Sequence, residues 1–371
     1  MRILHITSHL NVGGITTYVV NVAKACVSRG HEVIVASGGG SLEPTLEEQG
    51  IAHWRVPLHT KTEFSFQVAW AGWQLDRKLR EHRVDILHAH TRTAQVVAHW
   101  LSRRHRIPYV TTWHGFYRHR RLGRRWFPCT GDLTIAISSE VRGSLMQDGY
   151  VPEHRIRLIY HGIDVDHFAQ APSAADIQTY RMSWLSDQRP VIGCVGRLAS
   201  GGVKGFDLLL GAAKLVQRDI PNLEVLIVGD GPRRAFLESE AARLGIRDRV
   251  HFVGAVHDVR IPMTLIDVFI FASRWPEAFG LSLIEAMAMG RPVVATRTGA
   301  VPEIIEHGRN GWLVPPDDAE ALAEGVLRLL NDPAMAAQLG GAAQVRAREA
   351  FGLDRMIDAV EAVYGELTTK R

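Results

Sequence analysis

The sequence predicts an α/β protein made of two doubly wound, Rossmann-like domains facing each other across a cleft. Three observations point to this. Short β-rich runs alternate with helix-length segments along all 371 residues. Many of those runs are continuously apolar, as strands of a parallel sheet covered on both faces must be. One strand-free stretch near the middle interrupts the alternation, and the length allows about two domains.

In the first half, strands are expected at residues 2–7, 32–37, 53–56, 84–89, 108–112, 133–136 and 157–160. The second half repeats the pattern at 191–195, 223–228, 250–253, 268–272 and 292–295. Residues 164–189 hold no strand-like run and include Ala-Gln-Ala-Pro-Ser-Ala-Ala, the composition of a connector. The expected division is therefore one Rossmann-like domain over 1–168 and a second over 169–352. Helical patterns occupy 319–330 and a C-terminal segment of about 353–371, the latter expected to pack back on the first domain. No solenoid-period repeat or low-complexity tract is present.

Composition sets further bounds. An apolar fraction of 46% and a charged fraction of 22% describe an ordinary globular protein. Cys26, Cys129 and Cys194 are far apart and fit no metal-ligand spacing, which suits a reducing compartment. The chain opens directly on a strand pattern and has no apolar run of about 18 residues, so a cytoplasmic protein is expected, neither exported nor membrane-spanning.

Charge is unevenly divided. Residues 1–168 carry 21 Lys+Arg against 14 Asp+Glu, and residues 169–371 carry 22 against 25, which sum to the net +4. Between Leu101 and Gly131 stand eight arginines and no acid. Within that region Arg118, Arg120, Arg121, Arg124, Arg125 and Trp126 form a basic, aromatic-bearing segment. Such a segment suits the inner face of an anionic membrane or an anionic glycolipid. No nucleic-acid motif accompanies it, so a nucleic-acid partner is not expected.

The most informative stretch runs from Arg274 to Thr296 and places Glu277 and Glu285 with seven residues between them. Helical spacing begins at Leu281 and stops at Gly290, which puts Glu277 in the preceding loop and Glu285 about one turn inside the helix. The unpaired amides that open a helix form an anion site, so an acid flanks that site on either side. The helix is apolar nearly all round, and a carboxylate buried in it needs hydrogen-bond partners such as ribose hydroxyls. A nucleotide-diphosphate sugar has the matching layout.

Other loops supply complementary groups. After the first strand, Gly13 and Gly14 open an amphipathic helix whose amides a phosphate or sugar can approach closely. A nicotinamide site would instead need G-x-G-x-x-G and an acid closing the second strand, and neither is present. In Gly196-Arg-Leu-Ala-Ser-Gly-Gly-Val-Lys-Gly205, Arg197 and Lys204 flank a glycine-rich loop, a charge match for a diphosphate. Gly229 lies in a turn that ends the next strand. Of 18 histidines, His88 and His90 share a face at one strand end and His114 follows the next strand. Three imidazoles can hold a metal, but strand-end histidines more often serve as hydrogen-bonded wall residues, so no metal is expected. His114, before Gly115, is the better candidate for a sugar contact.

Taken together, these residues resemble the retaining glycosyltransferases of family 4, which have the GT-B fold. The resemblance covers nearly the whole chain, through Val12-Gly-Gly, Asp85-Ile-Leu-His-Ala-His, Trp113-His-Gly, Ile159-Tyr-His-Gly-Ile-Asp164, Gly196-Arg197, Lys204-Gly205, Gly229-Asp-Gly-Pro232 and Glu277-x7-Glu285. It implies that Arg197 and Lys204 bind the donor diphosphate and that Glu285 binds the ribose. Glu277, with the amides of Ala278, Phe279, Gly280 and Leu281, would contact the donor sugar, and His114 would lie near the reaction centre. It further implies same-face transfer without a metal or other cofactor, to a glycan or lipid-linked acceptor of the kind used in bacterial envelope polysaccharide or lipopolysaccharide synthesis. Two departures stand out: Ala278 replaces a frequent Gly, and His161 replaces the usual Asn. A nucleotide-sugar epimerase, or a non-catalytic glycan- or membrane-binding scaffold, would be compatible with the same architecture.

Overall fold

The structure is a computed structural model that describes residues 1–60, 62–116, 127–148, 151–185 and 190–369. The expected membrane-contact residues Arg118, Arg120, Arg121, Arg124, Arg125 and Trp126 lie outside the described residues. The chain divides into two compact units, one comprising Met1–Gly162 with Asp354–Arg371 and the other Ile163–Leu353. The first unit thus ends before the 168/169 boundary read from the sequence.

The first unit holds seven parallel strands: β1 (Arg2–Ile6), β2 (Glu32–Ser37), β3 (Ala52–Arg55), β4 (Ile86–Ala89), β5 (Tyr109–Trp113), β6 (Leu133–Ala136) and β7 (Ile156–Leu158). Their order is β3-β2-β1-β4-β5-β6-β7. Strands β1, β4, β5 and β6 are buried almost end to end, which accounts for their continuously apolar runs. The intervening helices are α1 (Gly14–Ser28), α2 (Glu43–Glu47), α3 (Phe66–Glu81), α4 (Arg92–His105) and α5 (Ser139–Gln147). Ser65 and Ser138 cap α3 and α5 by accepting from the amides of Val68 and Val141.

In the second unit six parallel strands follow: β8 (Val191–Val195), β9 (Glu224–Val228), β10 (Val250–Gly254), β11 (Val268–Phe271), β12 (Val293–Thr296) and β13 (Trp312–Val314), ordered β10-β9-β8-β11-β12-β13. Its helices are α6 (Val165–Ala169), α7 (Ala174–Trp184), α8 (Phe206–Val216), α9 (Arg234–Arg243), α10 (Arg260–Leu265), α11 (Leu281–Ala288), α12 (Val301–Ile304), α13 (Ala319–Asn331) and α14 (Pro333–Phe351). The expected connector is thus largely helical. Beyond the connector, β13 and α14 were not anticipated. β13 is only three residues long, and α14 buries mostly small residues: Leu339, Gly340, Ala343 and Ala347, with Phe351 at its end.

The last helix, α15 (Leu353–Thr368), belongs to the first unit from Asp354 onward. Met356, Ile357, Val360, Val363 and Tyr364 form its buried stripe. Arg29 reaches Asp358 at 2.5 Å and Glu361 at 2.8 Å, and Arg157 pairs with Glu366 at 2.7 Å. The Tyr364 hydroxyl meets Nδ1 of the buried His88 at 2.6 Å. Tyr364→Ala is expected to destabilise the first unit by about 3–5 kcal/mol through the cavity it leaves. Tyr364→Phe should cost about 1–3 kcal/mol, since it strands a buried ring nitrogen. Urea unfolding curves of both variants test this, and a Phe variant as unstable as the Ala variant would contradict it.

Candidate functional site

In a doubly wound sheet, ligand-binding loops leave the carboxyl ends of the strands, and they part where strand order reverses. In the second unit that reversal lies between β8 and its neighbour β11. The loop after β8 carries Arg197 and Lys204, and the loop after β11 carries Glu277.

The two loops are held together by backbone. The Arg274 amide donates to the Val203 carbonyl at 2.9 Å. Gly205 adopts φ +60°, and a Cβ there would come within 1.9 Å of the Ala272 carbonyl oxygen, so only glycine lets the β8 loop pass so close. A third loop, after β12, closes on the second: the Ala300 amide donates to the Glu277 carbonyl at 2.9 Å.

This framework brings Lys204 Nζ to 2.7 Å from Glu277 Oε1. The same oxygen accepts from the Ser273 hydroxyl at 2.6 Å, and the Phe271 ring lies 5.4 Å from the ammonium. Sequence reasoning found Lys204 and Glu277 but not that they meet, and it missed Ser273 and Phe271. Arg197 stands exposed at the head of its loop, with no ion-pair partner among the described residues. Gly229 follows β9, whose chain continues beside the first loop: the Leu198 amide donates to the Asp230 carbonyl at 3.0 Å.

Glu277 leads through Ala278 and Phe279 to Gly280, which precedes the first turn of α11. No side chain caps this helix and its first turn holds no acid, so its opening amides are available to an anion. Ala278 is not among the residues with positive φ, so its methyl is accommodated without backbone strain. Glu285 lies one turn into α11 between the buried Ile284 and Ala286. Part of its surface is open, yet its carboxyl is crowded by protein, and burial pushes it up to about 7. No hydrogen bond or cation offsets that burial among the described residues.

The first unit concentrates imidazoles at its own reversal point, between β1 and β4. His5 and His88 are in register across these strands. From His5 a chain runs through His90 (Nδ1 to Nε2, 3.0 Å) to His114 (3.4 Å) and on to His161 (3.4 Å). The Tyr18 ring meets His114 edge-on at 4.8 Å. Burial, reinforced by His161, holds His114 well below the ordinary histidine range. His114 is therefore neutral, with both ring nitrogens turned to other imidazoles, and suits a hydrogen-bonding or wall role better than proton delivery. The sequence pointed to His88, His90 and His114 but not to His5 or to His161 as partners. Ring nitrogens of His5, His88 and His90 lie within 4.8 Å of one another, close enough for a metal to recruit. Those of His88 are engaged by Tyr364 at 2.6 Å and Thr112 at 2.7 Å.

At the start of α1, Gly13 has an extended backbone, and an added Cβ would meet nothing closer than Thr16 Oγ1 at 3.8 Å. The protein's own packing does not require glycine there. Both Gly13 and Gly14 are exposed.

Two such parallel units, each doubly wound, define a GT-B glycosyltransferase. The solved structure of Anabaena HepE in complex with UDP-glucose superposes with a TM-score of 0.86 at 25% identity, covering 99% of this chain and 100% of the other. The chain belongs to glycosyltransferase family 4: residues 12–167 match the Glycosyltransferase Family 4 model and residues 189–332 match that of glycosyl transferases group 1. It is 25% identical to the N-acetyl-alpha-D-glucosaminyl L-malate synthase of Bacillus anthracis, over 97% of this chain and 95% of that one. It is 30% identical to the lipopolysaccharide core biosynthesis mannosyltransferase LpsB of Rhizobium meliloti, over 57% of this chain and 60% of that one. Among the described residues no helix is long and apolar enough to cross a membrane.

The imidazole cluster has a consequence for stability. Burial lowers His5 and His161 to about 3, and His88, His90 and His114 well below their ordinary value. Below about pH 6.5 the unfolded chain takes up protons that the fold refuses. Each such group then withdraws up to about 1.4 kcal/mol per pH unit as pH falls. Glu285 acts in the opposite sense, its contribution being full at low pH and lost as pH rises through about 7. Five histidines outweigh one acid, so the melting temperature should fall between pH 7 and 5, a window where carboxylates of ordinary pKa hardly titrate. His5→Asn and His161→Asn should flatten that slope in calorimetric melts, and a pH-independent wild type would show that the cluster is not neutral.

Proposed function

We propose that this enzyme moves a sugar, with retention of configuration, from a nucleotide-diphosphate sugar to a glycan or lipid-linked acceptor. The setting would be bacterial envelope polysaccharide or lipopolysaccharide synthesis on the cytoplasmic side of the membrane, with the basic segment from Arg118 to Trp126 touching anionic lipid. The observation that carries this reading is that loops of one sheet edge in the second unit carry two cations, an uncapped helix start, a paired acid and a half-buried acid with no partner among the described residues. The UDP-glucose bound to HepE and the lipopolysaccharide role in LpsB's name support it.

On this reading Arg197 and Lys204 bind the diphosphate together with the opening amides of α11, and Gly229 leaves room beside them. One cation in close contact with a phosphate gains about 4 kcal/mol at intermediate dielectric, before desolvation is subtracted. Glu285 accepts the ribose hydroxyls, which replace the hydrogen bonds its burial removed. Glu277 and the amides of Ala278, Phe279, Gly280 and Leu281 hold the donor sugar. In the first unit, Gly13 and Gly14 present α1 amides to donor atoms, and His114 offers a neutral imidazole to the sugar.

Retention by double displacement would need a free carboxylate nucleophile. Glu277 is a poor one, because one oxygen is already shared between Lys204 and Ser273. Same-face attack avoids that need: the leaving diphosphate accepts the acceptor's proton, while Arg197 and Lys204 stabilise the charge that develops on it. These two cations supply the positive charge that a metal provides elsewhere, so none is required.

Lys204→Ala should lower turnover at least a hundredfold while costing at most about 1 kcal/mol of stability, since the lysine is partly exposed. Equal damage to activity and folding would contradict the assigned role. A panel of nucleotide diphosphates and their sugars tests the donor class by thermal shift. The correct donor at about 100 times its Kd should stabilise by about 2.7 kcal/mol, and Glu285→Gln should weaken that shift. A chain that no nucleotide stabilises would be a scaffold, and one that converts free nucleotide sugar without acceptor an epimerase. Either result rejects the proposal.

A further inference from the structure

One face of the first unit departs from what a solvated helix pair displays. On α3, Phe66, Trp70 and Trp73 follow one another at helical spacing and are 80%, 42% and 44% exposed. Their rings stack in series, with centroids 6.3 Å and 4.7 Å apart. Trp100 of α4 stands beside them, also 44% exposed. Phe64 and Phe127, both exposed, extend the patch through an edge-to-face contact at 6.3 Å. A groove of about 650 Å³ runs between, lined by Phe64, Phe66, Val68, Trp73, Val97 and Trp100. Its rim is built rather than loose. Arg92 donates to the carbonyls of Phe127 and Pro128, both at 2.6 Å, and to Glu63 at 2.9 Å. A contiguous aromatic surface of this size marks an interaction site.

Charge identifies what it meets. The two helices carry Arg77, Lys78, Arg80, Arg92, Arg103 and Arg104 against only Asp76 and Glu81. Asp76 is buried and already bound by Arg80, Arg104 and His105 at 2.7, 2.5 and 2.8 Å. The Arg77 guanidinium lies 5.1 Å over Trp73, and that of Arg104 lies 5.8 Å over Trp100. Arg77 and Arg104 therefore flank the aromatic centre. Tryptophan and phenylalanine settle at the headgroup level of a bilayer, where neighbouring arginines reach lipid phosphates. A symmetric contact with a second copy would instead bring like charges together.

We propose that this α3–α4 face docks the protein on an anionic lipid bilayer. Phe66, Trp70, Trp73 and Trp100 enter the headgroup region, and Arg77 and Arg103 pair with lipid phosphates. The surface uses none of the residues assigned to sugar transfer, so vesicle binding is measured without donor or acceptor.

The test is co-sedimentation of the full chain with vesicles of phosphatidylcholine mixed with phosphatidylglycerol, and with vesicles of phosphatidylcholine alone. Binding to the mixed vesicles should be at least about tenfold tighter and should weaken with salt. Trp70→Ser combined with Trp73→Ser should weaken it at least about tenfold. Arg77→Glu combined with Arg103→Glu should do likewise. Both pairs should leave the melting temperature and any nucleotide-induced thermal shift unchanged. The proposal is overturned if the wild type ignores anionic vesicles, or if the tryptophan pair binds them as the wild type does. It is equally overturned if sedimentation reveals a dimer that the tryptophan changes dissolve while vesicle binding stays intact.

Discussion

The structure depends first on the parallel alignment of its strands. Parallel strands place every carboxyl end on one edge of the sheet, so the loops that follow emerge together however far apart they are in sequence. In the second unit this brings the loops after β8, β9, β11 and β12 to a single edge. Backbone hydrogen bonds and a glycine at φ +60° then lock neighbouring loops against one another. That constraint carries Arg197, Lys204 and Glu277 to one edge of the sheet, where an ion pair joins Lys204 to Glu277.

Within the group, charge is balanced in two different ways. Lys204 and Glu277 neutralise each other directly, and Ser273 fixes the acid's orientation. A cation held in place before the donor arrives loses less side-chain freedom on binding than a free one would. Among the described residues Glu285 has no such counterpart, and burial instead shifts its proton affinity upward. On the proposed reading the pair is a resting arrangement that the diphosphate re-partitions. On the same reading, hydroxyl groups of the donor complete at Glu285 what the protein leaves unfinished.

Much of the architecture was legible in the sequence because buried parallel strands announce themselves as apolar runs. All seven strands of the first unit and five of the six in the second fall where those runs lie. β13, like β7 only three residues long, was not anticipated although Trp312-Leu313-Val314 is an apolar run bounded by Gly311 and Pro315. α14 escaped because its buried face is mostly glycine and alanine, although Asp332 caps it by accepting from the Met335 amide and Pro333 opens it, an ordinary start signal. For the site, motif spacing located the residues but not their contacts. Whether Lys204 meets Glu277 depends on how closely two loops pass, which Gly205 permits but spacing alone does not reveal. The imidazole chain was half visible. His88 and His90 were noted, and His5 could have been added from the β1–β4 pairing that a doubly wound order implies. His161 depends on where a loop returns.

The placement of α15 bears on how the chain is made. The first unit is discontinuous, for it needs residues from Asp354 onward to bury Tyr364 beside His88 and to satisfy Arg29 and Arg157. During synthesis the ribosome must emit all of the second unit before that helix exists, so the usual order in which the amino-terminal body matures first is reversed. The continuous unit from Ile163 to Leu353 can complete itself while the earlier one waits, with an apolar groove still open, for its final piece. A released chain truncated after Leu353 would therefore pair a carboxyl-terminal body that has all its residues with an amino-terminal one that lacks its last helix.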